Sequence, residues 1–359
     1  MTPRFQLSDL RVPVIQAPMA GTATPHLAAE VSRAGGLGSL GLGASNAAQA
    51  AAMMAETAAR LGSNLYGVNL FCHRPAEADP AREAGWLAYL APEFHRFGGE
   101  PPAEITEVYR SFLVDDDMLR AVLAARPAVV SFHFGLPSAE RIAALRDSGA
   151  TLAATATSRA EAVAIRDAGL DLIVAQGYGA GGHRGIFDPD GPDERLPTME
   201  LLRELLDLDL PVVAAGGIMD GADAVRFLTA GAAAVQMGTA FVACPESAAG
   251  DTYRARLAAA KPGDTVMTRA ISGRPARGLA NRLTALGEAA GAPDLPDYPI
   301  TYDAAKRLNA LAGGSDYAAQ WAGVEAARAR SMPAAELVAL LEQEIGTHLH
   351  GINACHKGQ

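Results

Sequence analysis

The segment PVVAAGGIMDGADAVRFLTAGAAAVQMGTAF, residues 211–241, decides the fold class of this chain. Two short, mostly apolar strand patterns, 212–215 and 234–237, flank an amphipathic helical pattern over 221–230. Continuous apolar strands separated by helices are typical of a parallel sheet that is covered on its outer face. Both strand patterns end in glycine-containing turns, whose exposed N–H groups can bind a phosphate group.

The same alternation recurs through the first half of the chain. Six further strand patterns cover residues 12–17, 37–42, 65–70, 128–134, 151–157 and 172–176. Eight strand–helix units predict an α/β protein with a (β/α)8 TIM barrel. A doubly wound sheet is the alternative, but its glycine fingerprint normally follows the first strand. The sequence there is GTATPH, which contains no GxGxxG motif.

Two stretches, residues 75–124 and 249–330, do not fit the strand–helix repeat. The first follows the third strand pattern, so it lies at the carboxyl ends of the strands, where the substrate loops of a barrel belong. We expect both stretches to pack together as a smaller, mostly helical cap or substrate domain. The barrel would then comprise residues 1–74 and 125–248, with an amphipathic C-terminal helix over 331–346 packed on it.

Composition limits the class of protein. The chain has 359 residues, of which 49% are hydrophobic, so it can bury a sizeable core. Its formal net charge of −10 argues against a general nucleic-acid binder, which needs clustered Lys and Arg. No apolar run is typical of a membrane span or of a signal peptide. The cysteines Cys72, Cys244 and Cys355 stand far apart, which favours a cytoplasmic protein without a metal site.

The strongest functional signal is the pair of glycine turns after the last two strand patterns. Gly216 and Gly217 follow the first of them, and Gly238 and Thr239 follow the second. Barrels commonly bind phosphate at the seventh and eighth strands, where backbone N–H groups and a hydroxyl can donate to the phosphate oxygens. Tight turns without a ligand are the alternative. Because two such turns coincide at these strands, phosphate binding is favoured.

The second signal is AQGYGAGGHRG, residues 175–185, with five glycines among eleven residues. So much glycine predicts a flexible loop that wraps closely around a ligand. His183 lies in this loop, and a histidine at the catalytic rim of a barrel is typical of general acid–base catalysis. Arg184 beside it either binds an anion or is solvated.

Polar residues at other strand ends extend the candidate site. His133, in SFHFG, points into the barrel mouth if Phe132 and Phe134 pack outward; a hydrogen-bonded core histidine is the alternative. Asn69 and Gln176 end the third and sixth strand patterns. Each amide carries both a donor and an acceptor, which suits the edge of a planar ligand.

The cap contributes three tyrosines and a lysine. Tyr302 and Lys306 are four residues apart, so they share a face if the segment is helical. Tyrosine hydroxyls and an ammonium group would suit a small anion, whereas surface aromatics on an amphipathic helix are the alternative. The complete set is Tyr109, Tyr298, Tyr302 and Lys306.

Several motifs taken together resemble one known family. They are VPVIQAPMAG at 12–21, AGGHRG at 180–185, PVVAAGGIMDG at 211–221, VQMGTAFVACPES at 235–247, SGRPARGLANRL at 272–283 and YPITYD at 298–303. The set is similar to that of the nitronate monooxygenases, formerly called 2-nitropropane dioxygenases, and especially to their class I branch. The resemblance covers nearly the whole chain. It implies a TIM barrel that holds FMN, with a smaller domain over the reacting face of the flavin.

The resemblance also implies roles for individual residues. His183 would be the active-site acid–base, with His133 as a second catalytic histidine in the same pocket. The three tyrosines and the lysine of the cap would shape the substrate cavity. The flavin and its phosphate would be contacted by Ala17, Pro18, Met19, Asn69, Gln176, Gly181, Gly216, Gly217, Gln236, Met237, Gly238 and Thr239. One position departs from the family pattern, because Gly179 stands where the loop usually has an acidic residue.

The implied reaction is the oxidation of an alkyl nitronate, such as propionate 3-nitronate, by O2 to a carbonyl compound and nitrite. The expected partners are therefore a small nitronate or nitroalkane and O2. A homodimer is compatible with the sequence. An FMN-dependent NAD(P)H:quinone or enoyl-thioester reductase is the main alternative, since such enzymes share the glycine turns and the histidine loop. A catalytically idle FMN- or phosphate-binding protein is a third hypothesis.

Overall fold

The strands of the protein form two sheets in a computed structural model, which describes residues 4–314 and 316–357. In chain order they are β1 (Val14–Gln16), β2 (Ser39–Gly41), β3 (Gly67–Phe71), β4 (Val129–His133), β5 (Thr151–Ala156), β6 (Leu172–Gln176), β7 (Gly182–His183), β8 (Val212–Ala215), β9 (Ala234–Met237), β10 (Thr265–Thr268) and β11 (Ala276–Leu279). Eight of them make the larger sheet, and β10, β11 and β7 make a small antiparallel one.

The larger sheet is a barrel of parallel strands in the order β1-β9-β8-β6-β5-β4-β3-β2. A parallel bridge between Ile15 and Leu37 joins β1 to the chain just before β2 and closes the ring. All eight strand patterns of the sequence supply one barrel strand each. The predicted (β/α)8 TIM barrel is therefore confirmed.

Helices alternate with the barrel strands and also build the cap. They are α1 (Pro25–Arg33), α2 (Ala47–Leu61), α3 (Pro80–Arg96), α4 (Asp116–Ala125), α5 (Ala139–Asp147), α6 (Arg159–Asp167), α7 (Thr198–Leu205), α8 (Gly221–Thr229), α9 (Thr239–Val242), α10 (Asp251–Ala258), α11 (Arg282–Gly287), α12 (Ile300–Leu311) and α13 (Ala334–Lys357). Local sequence explains where they begin. Thr24 caps α1 ahead of Pro25, and Asn46 and Gln49 form a capping box on α2.

Side chains of the barrel strands alternate between two cores. Those facing outward, such as Val130 and Phe132, pack with the surrounding helices in the main hydrophobic cluster. Those facing inward, such as Val129 and Val174, fill the barrel together with Phe5 and Leu7. The interior is thus packed with side chains, and the large open cavity lies at the carboxyl ends of the strands.

A separate hydrophobic cluster holds the cap together. It joins Trp86 and Leu90 of α3 to Leu308 of α12, so it draws on both stretches that do not fit the strand–helix repeat. Helix α4 differs from the expected division, because Met118 and Val122 pack in the main cluster with the barrel rather than in the cap cluster. How the chain divides into domains stays a prediction.

The C-terminal helix α13 packs on the barrel through α8 and α1, and it extends beyond the predicted 331–346. Leu337, Val338 and Leu341 are buried in the main cluster. None of the helices in the described residues is both long enough and apolar enough to cross a membrane.

Candidate active site

The carboxyl ends of the barrel strands open into a cavity of about 920 Å³ that is bounded on its other side by the cap. This volume is at the upper end of what small-molecule and cofactor sites occupy. The cavity brings together every residue predicted for the site except Tyr298. Strands, turns and cap therefore converge on one space, as the sequence predicts.

One end of the cavity is lined by the two glycine turns. Gly216 and Gly217 have φ angles of 115° and 71°, which side chains other than glycine rarely adopt. A Cβ atom at Gly216 would come within 3.0 Å of Ala180. The N–H groups of Gly216, Gly217 and Gly238 donate to no acceptor among residues 4–314 and 316–357. This end is therefore a backbone cradle with free donors, which fits a phosphate group.

Amide side chains at the strand ends hold the neighbouring chain segments in place. Asn69 donates through Nδ2 to the Ser131 hydroxyl at 2.9 Å. Gln176 accepts through Oε1 from the N–H of Gly185 at 2.7 Å and donates through Nε2 to the His183 carbonyl at 3.0 Å. Both ends of the Gln176 amide thus fasten the glycine-rich loop to the barrel, although the residue also lines the cavity.

His183 is fixed more firmly than a flexible glycine-rich loop would suggest. It lies in β7, which pairs with β11 through His183 and Ala276. Its Nε2 atom lies 2.9 Å from the hydroxyl of Ser272. The other ring nitrogen, Nδ1, has no hydrogen-bond partner in the described part of the chain and is not enclosed by protein. Because His183 lines the cavity, Nδ1 is the nitrogen that a ligand would meet.

His133 supports the backbone of His183. Its Nε2 atom lies 3.1 Å from the His183 carbonyl, and a carbonyl only accepts, so Nε2 carries the hydrogen. Its Nδ1 atom then accepts from the Thr155 hydroxyl at 3.0 Å. Phe132 packs outward as expected, whereas Phe134 has a φ of 74° and its ring lies 5.6 Å from that of His183. Both ring nitrogens of His133 are therefore occupied, and its catalytic role stays a prediction.

The site keeps its histidines neutral. Burial lowers the pKa of His183 to about 3, and the nearby His133 and Arg274 act in the same direction. Burial also lowers the pKa of His133 to about 4, a shift that its hydrogen bond to the His183 backbone opposes. At neutral pH both rings are uncharged, so each has one donor nitrogen and one acceptor nitrogen.

Arg184 neither binds an anion in the cavity nor is solvated. It is 2% exposed, and its guanidinium donates to both carboxylate oxygens of Asp193 at 3.0 and 2.8 Å. It also donates to the Gln176 and Thr157 carbonyls. The sequence expectation was wrong because the partner carboxylate stands nine residues away in an irregular segment. Arg184 thus anchors the loop that carries His183.

The cap supplies the other end of the cavity. The Lys306 ammonium lies 4.4 Å from the ring centre of Tyr109 and 5.2 Å from that of Tyr302. Burial lowers the pKa of Lys306, and Asp303 opposes this shift. Among the described residues that line the cavity, Lys306 is the only lysine or arginine. Tyr298 lies behind His183, with the two ring centres 5.6 Å apart.

Sequence reasoning missed two neighbours of His183. Ser272 is fully buried and contacts the histidine ring. It begins the SGRPARG motif, to which the sequence alone assigned no role. Trp321 lines the cavity with its ring 5.2 Å from that of His183. Both belong to the chain beyond the barrel, so no local pattern links them to the histidine.

Comparisons with known proteins identify the family of the chain. The family model described as nitronate monooxygenase matches residues 2–344. The chain is 54% identical to a nitronate monooxygenase of Paraburkholderia phytofirmans, over 93% of this chain and 92% of the relative. It is 50% identical to a nitronate monooxygenase of Pseudomonas aeruginosa, over 96% of this chain and 99% of the relative.

A solved structure is similar over the same length. It is that of a nitroalkane oxidase from Streptomyces ansochromogenes, with a TM-score of 0.85 and 35% identity. The match covers 96% of this chain and 99% of the other. Family, relatives and fold coincide over nearly the full length of the chain. The chain therefore belongs to the nitronate monooxygenase family and is an oxidoreductase.

Proposed function

We propose that this enzyme uses FMN to oxidise alkyl nitronates with O2, yielding a carbonyl compound and nitrite. The observation that carries the proposal is a single cavity with two unlike ends. Free backbone donors at the glycine turns suit a phosphate, while His183 and Lys306 suit a small anion at the other end. A phosphate-bearing planar cofactor would bridge the two ends.

The residues present fit FMN. The N–H groups of Gly216, Gly217 and Gly238 would hold its phosphate, and Thr239 would add a hydroxyl, whose oxygen already accepts from the N–H of Gly323 at 3.0 Å. Glycine at 216 lets the turn pack against Ala180, which a side chain would prevent. The flavin ring would be contacted by Ala17, Pro18, Met19, Asn69, Gln176, Gly181, Gln236 and Met237. FMN would supply the electron acceptor for the reaction.

The cap end favours an anionic substrate. Lys306 is the only lysine or arginine among the described lining residues, and it is packed over Tyr109 and Tyr302. Burial raises the pKa of Tyr302 to about 12, so its hydroxyl stays a neutral donor. A nitronate that also bears a carboxylate, such as propionate 3-nitronate, presents negative charge to both Lys306 and His183.

His183 is proposed as the acid–base of the reaction. The residue lines the cavity, and its Nδ1 atom is free of protein partners in the described residues. A neutral nitroalkane would need a base to remove its α-proton, whereas a preformed nitronate would not. His133 would act by holding the backbone of His183. The buried free thiols of Cys72 and Cys244 support the expectation of a cytoplasmic enzyme.

The proposal is tested by following O2 consumption and nitrite release from propionate 3-nitronate and from nitroethane. We expect wild-type protein to turn over both, and His183→Asn to lose turnover of nitroethane while largely keeping that of the nitronate. His26→Asn, which changes a histidine outside the cavity, serves as the matched control. Equal losses on both substrates would contradict the base role.

The same preparation separates the alternatives. Rapid reduction of the bound flavin by NAD(P)H, with no response to nitronate, would assign the protein to the reductases. A bound flavin that responds to no donor would leave only a binding function.

A further inference from the structure

The hydroxyl of Ser272 is the one protein group that contacts the ring nitrogens of His183 within the described chain. Ser272 is fully buried, and its Oγ atom lies 2.9 Å from Nε2. Two other contacts complete its surroundings. Oγ is 3.2 Å from the Arg274 carbonyl, and the Arg274 N–H donates to Oγ at 3.4 Å.

Only one arrangement of hydrogens uses all three contacts. The Arg274 carbonyl can only accept, so it takes the Ser272 hydroxyl hydrogen, and Oγ is then left to accept from His183. If the hydroxyl donated to His183 instead, the Arg274 carbonyl would lose this hydrogen bond. Because an unpaired polar group costs about 1–3 kcal/mol when buried, the first arrangement is the more stable.

The turn that carries Ser272 is itself fixed. Gly273 has a φ of 94°, and a Cβ atom there would come within 3.0 Å of the Pro296 carbonyl and the Tyr298 N–H. The Arg274 guanidinium lies 4.2 Å from the centre of the Phe134 ring. The Ser272 hydroxyl therefore has a set position relative to the β7–β11 pair that holds His183.

We propose that Ser272 is a positioning residue that holds His183 in its Nε2–H tautomer, so that the Nδ1 lone pair faces the cavity as the proton acceptor. This inference deepens the proposed function and rests on it. When a neutral nitroalkane binds, its α C–H bond breaks, the electron pair moves onto the nitro group, and the proton goes to Nδ1. The imidazolium that results donates from Nδ1 to the nitronate oxygen and from Nε2 to Ser272.

The tautomer is measured directly by two-bond 1H–15N correlation spectra of the flavin-loaded protein labelled with 15N-histidine. The His183 signals are identified by their loss in His183→Asn. We expect the Nε2–H tautomer in wild type and in Ser272→Thr, which keeps the hydroxyl. In Ser272→Ala the Nε2–H group would have no acceptor, so we expect the Nδ1–H tautomer to become populated.

The kinetic counterpart is a difference between two substrates. In Ser272→Ala we expect kcat/KM for nitroethane to fall about tenfold or more, the loss expected for a hydrogen bond to a charged group, with Ser272→Thr restoring most of it. Propionate 3-nitronate, which needs no base, should change less than about twofold.

Ser247→Ala is the matched control. Ser247 is also a buried serine that accepts from the N–H two residues ahead, but it does not line the cavity. An unchanged His183 tautomer in Ser272→Ala, or equal losses on both substrates, would overturn the proposal. Because the spectra need no turnover, they test Ser272 even if nitronate proves not to be a substrate.

Discussion

Arg184 shows how much one buried charge contributes beside an active site. Its guanidinium is almost fully enclosed, and the Asp193 carboxylate and two backbone carbonyls take up its donors. Hydrogen bonding and charge from Arg184 lower the pKa of Asp193, against the opposing effect of burial. The pair is a structural anchor, since neither side chain lines the cavity.

Removing Arg184 should therefore cost stability. For Arg184→Met we expect a loss of about 3 kcal/mol in the free energy of unfolding, because Asp193 would keep a half-buried charge without its partner. Urea denaturation measures this, and adding Asp193→Asn should recover part of the loss. Arg120→Met breaks an exposed pair with Asp117 and should change little. Similar losses at the two sites would show that burial does not matter here.

The positions of single residues were predicted where the local pattern sets them. The glycines of the two turns directly follow barrel strands, and His183 lies in the loop after the sixth strand, so the strand pattern alone places them at the barrel mouth. Arg184 and Ser272 were not understood, because their roles depend on partners that meet them only in the folded chain. Charge and hydroxyl chemistry can be read from a sequence, but a long-range partner cannot.

At the scale of elements, the glycine-rich loop is held on two sides. On one side β7 pairs with β11, and on the other the loop contacts residues 322–323. A Cβ atom at Gly181 would come within 2.5 Å of the Gly323 nitrogen. Glycine at 181 is therefore required by close backbone approach rather than by flexibility.

Gly181→Ala should push the loop away from residues 322–323 and weaken retention of the flavin. We expect a lower flavin-to-protein ratio after gel filtration and a lower Tm. Gly149→Ala is the matched control, because Gly149 does not line the cavity and a Cβ atom there would meet nothing within 4 Å. It has only a positive φ of 96°, which costs about 1–2 kcal/mol for a non-glycine residue. Equal flavin loss in both variants would mean that backbone strain alone explains the effect.

Whether a helix or strand was predicted correctly depends on how local its sequence signal is. All eight barrel strands were predicted, because each is a short, mostly apolar run and helical patterns separate the runs. The small sheet was not, since β7 has two residues and its pairing with β11 joins distant segments. Helix α4 was assigned to the cap although its apolar side faces the barrel, because amphipathicity shows that a face is buried but not against what.

At the scale of the whole molecule, the barrel and the cap enclose three histidines near the guanidinium group of Arg274. His73, His133 and His183 all have a pKa lowered chiefly by burial, and Arg274 contributes to each shift. His73 is the most clearly separated from the chemistry. It is 1% exposed, does not line the cavity, and neither of its ring nitrogens has a hydrogen-bond partner among the described residues.

His73 should make the folded protein sensitive to acid. Burial and Arg274 lower its pKa from 6.5 to about 3, so below pH 6.5 the unfolded chain binds a proton that the folded chain does not. Stability then rises with pH by up to about 1.4 kcal/mol per unit between roughly pH 4 and 6, and this contribution is constant above pH 7. His73→Leu removes this dependence, so it should gain on wild type as the pH falls.

The measurement is the free energy of unfolding in urea for both proteins from pH 4.5 to 8. Carboxylates elsewhere titrate equally in both and cancel in the difference. Glu107, whose Oε1 atom lies 3.9 Å from His73, is the exception, so the comparison is repeated in a Glu107→Gln background. A difference in the free energy of unfolding between wild type and His73→Leu that is the same at every pH would contradict the prediction. If this difference depends on pH in the original background but not in the Glu107→Gln background, the pH dependence belongs to the Glu107 carboxylate.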